Sequence, residues 1–181
     1  MAPDFNGALY GRDIMTNTLL FRFSKSSDVP VILDFIKELA AYEGLAEEVN
    51  TDVETLSHSL FGPKAHATVL LAEVAGQPIG FCLYFYNFST FLGRPGLYIE
   101  DIYVKPEFRG QGIGKEFFKE VAKQALAEGC GRVEWWCLDW NKPSIDFYKK
   151  LGACPMNDWT VYRLTEDQFE GIISGNPCGH R

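Results

Sequence analysis

The chain has 181 residues, 46% of them hydrophobic and 14% aromatic, and a net charge of −7. This length suits one domain, and the apolar content supplies a full core and excludes a disordered chain. The acidic balance argues against nucleic acid and anionic membrane surfaces as partners. It fits ordinary solubility, and equally the attraction of a cationic substrate.

Residues 1–18 show no clear period and read as a flexible extension. A single domain is expected over 19–173, followed by a breaker-rich tail over 174–181 that frays. Residues 19–23 read as a strand. Ser27 and Asp28 before Pro30 mark a helix start, and Ile32, Ile36, Leu39 and Ala40 give that helix an apolar face ending near Gly44. Thr51, Asp52, Val53 and Glu54 have capping-box spacing and open a short helix. Strands are expected over 68–74 and 79–88, joined through Ala75-Gly76-Gln77-Pro78 as a hairpin. A further strand, 97–104, follows the breaker cluster Gly93-Arg94-Pro95-Gly96. After a glycine-rich turn, an amphipathic helix covers 112–128 with Phe117, Phe118, Val121, Ala122 and Ala125 on its apolar stripe. Then come a strand over 132–138, a helix over 143–151 stopped by Gly152, and a strand over 160–164. Thr165 to Gln168 caps a last short helix. The order β-α-α-β-β-β-α-β-α-β is that of an α/β, or mixed-sheet, sandwich.

Five cysteines, Cys82, Cys130, Cys137, Cys154 and Cys178, form no C-x-x-C. Cys82 and Cys137 sit inside apolar, strand-like runs and read as reduced core thiols of a cytoplasmic protein. No apolar run approaches the ~20 residues of a membrane span. His58, His66 and His180 are scattered, and G-x-S-x-G does not occur, so metalloenzyme and hydrolase readings lack support and no metal is expected.

The segment with the most chemistry is Arg109-Gly110-Gln111-Gly112-Ile113-Gly114-Lys115, between an apolar strand and an amphipathic helix. Glycines let backbone N–H groups approach a pyrophosphate, the helix start adds positive potential, and Arg109 and Lys115 add cations. A Walker A loop fails here, because Arg109 stands at its first glycine and Glu116 at its Ser/Thr. Glycines at 110, 112 and 114 have the wrong spacing for G-x-G-x-x-G. The pattern R-x-x-G-x-G fits Arg109, Gly112 and Gly114, although a glycine-rich turn without a ligand would look alike. Nearby, Glu100 and Asp101 interrupt an apolar strand, where alternation sends them to opposite faces. A carboxylate there needs a partner: a structural hydrogen bond or ion pair, or a cationic amine whose proton it removes through water.

Residues 98–104, 108–114 and 140–153 together resemble successive signatures of the Gcn5-related N-acetyltransferases (GNAT superfamily). They are most similar to the branch of spermidine/spermine and thialysine acetyltransferases, as is the segment 37–43; the resemblance covers about 19–170. It implies the GNAT fold, a mixed, mostly antiparallel sheet flanked by helices with a pyrophosphate-binding turn. It also implies acetyl-CoA as co-substrate and direct transfer to the primary amine of a diamine, a polyamine or a lysine-like amino acid such as thialysine. A homodimer is expected from the same source.

By this resemblance Glu100 faces the substrate and serves as base, and Tyr148 is the general acid for the leaving thiolate, although Tyr148 also suits a core aromatic. The strand Ile102-Tyr103-Val104 would pair its backbone with the pantetheine amides, and residues Arg109 to Lys115 would take the pyrophosphate. Asn141 and Ser144 match cofactor positions and equally suit a helix cap. Tyr42, Glu43 and Asp101 would line the amine site, with Glu43 holding a distal ammonium or standing as a solvated helix-end acid. Trp135, Trp136, Trp140 and Trp159 could supply site walls or core. The stretch 154–159 is shorter than in the polyamine enzymes, which speaks against assigning spermidine. A protein acetyltransferase and a non-catalytic acyl-CoA sensor are the alternatives; a sensor has no need of both Glu100 and Tyr148.

Overall fold

The computed structural model describes residues 9–14 and 17–175. Two compact units divide between Leu138 and Asp139. The first is built on a six-stranded sheet whose spatial order follows the chain: β1 (Leu9–Ile14), β2 (Asn17–Phe23), β3 (Thr68–Val74), β4 (Gln77–Ser89), β5 (Arg94–Val104) and β6 (Val133–Trp135). All neighbours are antiparallel except β5 and β6, which the crossover helix α3 (Ile113–Ala127) joins in parallel. The fold is thus the α/β arrangement expected, with an additional strand. Leu9–Ile14, in the stretch without clear period, pairs with β2.

Each face of the sheet carries its own core. Leu70, Ala72, Cys82, Tyr84, Leu97 and Ile99 pack with Ile113, Phe117, Val121 and Ala125 of α3. On the other face Val69, Leu71, Phe81, Leu83 and Tyr103 pack with Ile32 and Phe35 of α1 (Val29–Glu43) and Leu56 and Leu60 of α2 (Val53–Phe61). Burial on both sides explains the apolar run Val69–Ala72 of β3, where successive residues serve opposite layers. Each such side chain contributes roughly 1.5–3 kcal/mol by leaving water.

Local chemistry sets the joints. Ala75 and Gly76 link β3 to β4 with φ values of 51° and 74°, the signature of a type I′ turn. Asp52 rather than Thr51 caps α2, accepting from the Thr55 N–H at 2.8 Å. Asp28 precedes α1, but its carboxylate instead meets Arg22 in a two-pronged pair at 2.7 and 2.9 Å. Arg22 also reaches Glu73, so β2, β3 and the start of α1 are tied together.

The second unit contains α4 (Lys142–Lys150) and α5 (Glu166–Ile173). Thr165 and Gln168 form the expected capping box of α5. Two strand expectations are corrected. The strand expected over 132–138 is confined to Val133–Trp135. Residues 160–164 form no strand, and Val161, Tyr162 and Leu164 are exposed. Branched and aromatic residues favour a pleated surface only where a neighbouring strand gives them one.

Candidate functional site

The site in the first unit begins with a fault in the sheet. Leu83 pairs with Asp101 and Tyr84 with Ile99, so Glu100 is an extra residue bulged out of β5. The cores record the slip. Leu97 and Ile99 join the α3 face before it, Ile102 and Val104 after it, while β4 alternates regularly from Phe81 to Tyr84 beside it. Strict alternation at 100 and 101 is therefore lost: Glu100 is exposed, and Asp101, opposite Leu83, lies on the α1–α2 face, partly buried. The placement of these two carboxylates on opposite faces by simple alternation does not hold.

At the same point β5 loses its outer neighbour. The pairing with β6 stops at Ile99 with Trp135, so among the described residues the β5 edge from Glu100 to Val104 has no strand beside it. Its backbone N–H and C=O groups, Ile102, Tyr103 and Val104 included, form a strand edge able to receive another extended chain.

The glycine-rich turn lies just beyond this edge. Pro106–Phe108 makes one 3₁₀ turn, Arg109 is extended, and Gly110 and Gly112 take φ values of 75° and 85°. Gly112 is the N-cap of α3 and offers no side-chain acceptor, so the first N–H groups of α3, from Ile113, Gly114 and Lys115, are left without a side-chain cap. A Cβ on Gly110 would meet open space, so its positive φ, not crowding, accounts for the glycine. Gln111 donates to the Glu107 carbonyl at 3.2 Å, which closes the turn from within. Arg109 donates to the Val104 carbonyl at 2.8 Å and lies 4.9 Å from the ring centre of Tyr42 and 5.3 Å from that of Tyr103. Its guanidinium joins the end of β5 to the end of α1, and Lys115, like Arg109, is exposed.

That α1 end supplies further acid. Glu43 is partly buried in the last turn, where the helix dipole disfavours a negative charge. Burial raises its pKa. Asp101 is pushed up to about 6, first by burial and then by Glu100 and Glu43. The Tyr103 hydroxyl lies within hydrogen-bond reach of Glu38, and burial chiefly raises its pKa. The cluster is thus Glu38, Glu43, Glu100 and Asp101. Glu38 has no role assigned from the sequence alone; its spacing of four from Tyr42 on α1 is the available signal.

In the second unit Asn141 is buried and caps α4, accepting from the Ser144 N–H at 3.3 Å. Tyr148 is partly buried on α4, its ring centre 5.4 Å from that of Phe147. Among the described residues no group of three or more His, Cys, Asp or Glu is placed to hold a metal ion, and no helix is long and apolar enough to cross a membrane.

The architecture and the open strand edge can be set beside known proteins. The family described as acetyltransferase (GNAT) matches residues 34–153. The thialysine N-epsilon-acetyltransferase of Sus scrofa is 42% identical over 165 residues, covering 85% of this chain and 94% of its own. The L-ornithine N5-acetyltransferase of Arabidopsis thaliana is 31% identical over 196 residues, covering 83% and 86%. Among solved structures, an integron cassette protein from the mobile metagenome of V. cholerae superposes with a TM-score of 0.72 at 21% identity, covering 86% of this chain and 97% of that one. At that identity it speaks for the fold alone.

Proposed function

The chain belongs to the acetyltransferase (GNAT) family and is an acyltransferase, and from that premise we propose that it moves an acetyl group directly from acetyl-CoA to the side-chain amine of a small lysine- or ornithine-like amino acid. The observation that carries this reading is the carboxylate cluster Glu43, Glu100 and Asp101 at the β5 bulge, beside an open strand edge. An ammonium is drawn to such a cluster. The names of the thialysine and ornithine relatives support an amino-acid acceptor.

Acetyl-CoA supplies the acetyl thioester. The backbone of Ile102, Tyr103 and Val104 holds the pantetheine arm, and N–H groups of that edge hold the carbonyl oxygen as charge develops. The turn from Arg109 through Gly110, Gln111, Gly112, Ile113 and Gly114 to Lys115 takes the pyrophosphate, with Asn141 and Ser144 near the co-substrate. Tyr42, Glu43 and Asp101 position the acceptor. Glu100 accepts the ammonium proton through water, which frees the nitrogen lone pair to attack, and Tyr148 returns a proton to the leaving thiolate. A cytoplasmic homodimer is part of the same proposal.

CoA thiol release against lysine, thialysine, ornithine, spermidine, putrescine and a mixed peptide tests this reading. Turnover on the amino acids is expected. Turnover on the peptide alone would move the chain to protein acetylation, and acetyl-CoA binding without any turnover would make it a sensor.

A further inference from the structure

The α1–α2 face of the sheet continues past the bulge, where those helices no longer cover it. Phe85, Tyr98 and Trp136 meet there, with ring centres 5.1 and 5.9 Å apart about Tyr98. Beyond this apolar floor lies an ion pair. Arg132 Nε stands 2.8 Å from Glu134 Oε2 in an ion pair, and Asn87 Nδ2 donates to the same oxygen at 3.2 Å. Both side chains remain reachable, 39% and 35% exposed.

The pair has capacity left over. Both contacts converge on Oε2, the ion-pair contact coming from Nε, so among the described residues Glu134 Oε1 and the two terminal nitrogens of Arg132 make no hydrogen bond. Gly96 makes the room. A Cβ there would stand 2.2 Å from Asn87 Oδ1 and 3.2 Å from Arg132 Cγ. Asn87 Oδ1 is itself buried without a hydrogen-bond partner. The group is therefore laid tightly across a glycine, with both charged side chains partly exposed.

Its position relative to the bulge is fixed by register. Glu134 pairs with Tyr98, two and three residues before Glu100 and Asp101 on β5. At ~3.3 Å per residue the separation along the strand is about 7–10 Å. Burial, Glu100 and Glu134 together push the Tyr98 phenol up to about 12, so it feels acids at both ends of this span. A lysine-like side chain carries its ammonium on a stem of about four carbons, a reach of the same order.

We propose that Arg132 and Glu134 recognise the α-carboxylate and α-ammonium of the acceptor, so that its side-chain amine lies at Glu100 and Asp101 and its methylenes cross Tyr98 and Trp136. This rests on the acetyltransferase reading above. A zwitterion presents the mirror of the pair: its carboxylate takes the free fork of Arg132 bidentately, and its ammonium takes Oε1 of Glu134. A diamine offers a second cation, which Glu134 attracts and Arg132 repels.

The test compares kcat/KM for lysine with cadaverine and for ornithine with putrescine, then for lysine methyl ester. The unsubstituted enzyme is expected to favour each amino acid over its diamine by about tenfold or more, and the ester, which lacks the carboxylate, should lose about 10- to 100-fold. In Arg132→Gln the amino-acid preference should fall to within about threefold of unity. Ester and acid of equal kcat/KM, or a preference that survives Arg132→Gln, would overturn the inference while leaving acetyl transfer intact. Silence of the unsubstituted enzyme on amino acids and diamines alike would overturn the small-amine acceptor reading and this inference with it. The ester comparison needs no variant, so misfolding of Arg132→Gln does not rescue the idea.

Discussion

Ile99 and Ile102 lie three positions apart on one strand, yet both pack on the α3 face of the sheet. In a regular strand that spacing puts two side chains on opposite faces. The extra residue between them is Glu100, and it brings a carboxylate out of an otherwise buried strand where β6 ends.

Glu100 is exposed, so its amide isostere should fold as well as the parent. Glu100→Gln is expected to melt within a few degrees of the unsubstituted protein while kcat/KM falls about 10²- to 10⁴-fold, the range of a lost proton acceptor. An unchanged rate and pH profile would remove Glu100 from proton transfer.

Asp101 links acceptor binding to stability. Its carboxyl is pushed up to about 6 from 3.8, by burial first and then by Glu100 and Glu43. Between those values the folded chain keeps a proton that the unfolded chain has lost, so stability falls as pH rises through the window. The full cost above it is about 3 kcal/mol. Asp101→Asn should match the parent near pH 4 and melt higher near pH 8, while losing acceptor affinity. Equal melting differences at both pH values would place the titration elsewhere.

The hairpin at Ala75 carries backbone strain. A φ of 51° at a residue with a Cβ costs roughly 1–2 kcal/mol, which Asn tolerates better. Ala75→Asn, giving Asn-Gly at a type I′ turn, should stabilise by about 0.5–1 kcal/mol in urea denaturation with activity unchanged. A loss of stability would mean that the turn is not held in that form.

For Tyr148 the expected signature is a split between chemistry and binding. Tyr148→Phe should lower kcat about 10²-fold or more and leave acetyl-CoA affinity, read by calorimetry, near that of the parent. Affinity and turnover falling together would make Tyr148 a packing residue of α4.

Much of this was legible in the residues. Gly110 and Gly112 adopt the positive φ that a tight strand-to-helix turn asks for, and of the two residues that suited a cap at the start of α4, Asn141 is the one that fills it. The bulge was not. Register is set by pairing with β4, and only the odd spacing of Ile99 and Ile102 around two acids hinted at it. Val161, Tyr162 and Leu164 have strand-like composition, but propensity cannot say whether an edge waits for them. Nor could Arg132 and Glu134 be picked out from other surface charges, because their meaning lies in alignment with Tyr98 and in the gap left by Gly96.

The most direct measurement is CoA thiol release from acetyl-CoA with thialysine as sole acceptor, with the product identified by mass spectrometry and fragmentation. Stoichiometric CoA and a single acetyl group on the side-chain nitrogen are the expected result. Acetylation at the α-nitrogen, or acetyl-CoA bound and left intact, would contradict the assignment of the bulge carboxylates to a side-chain amine.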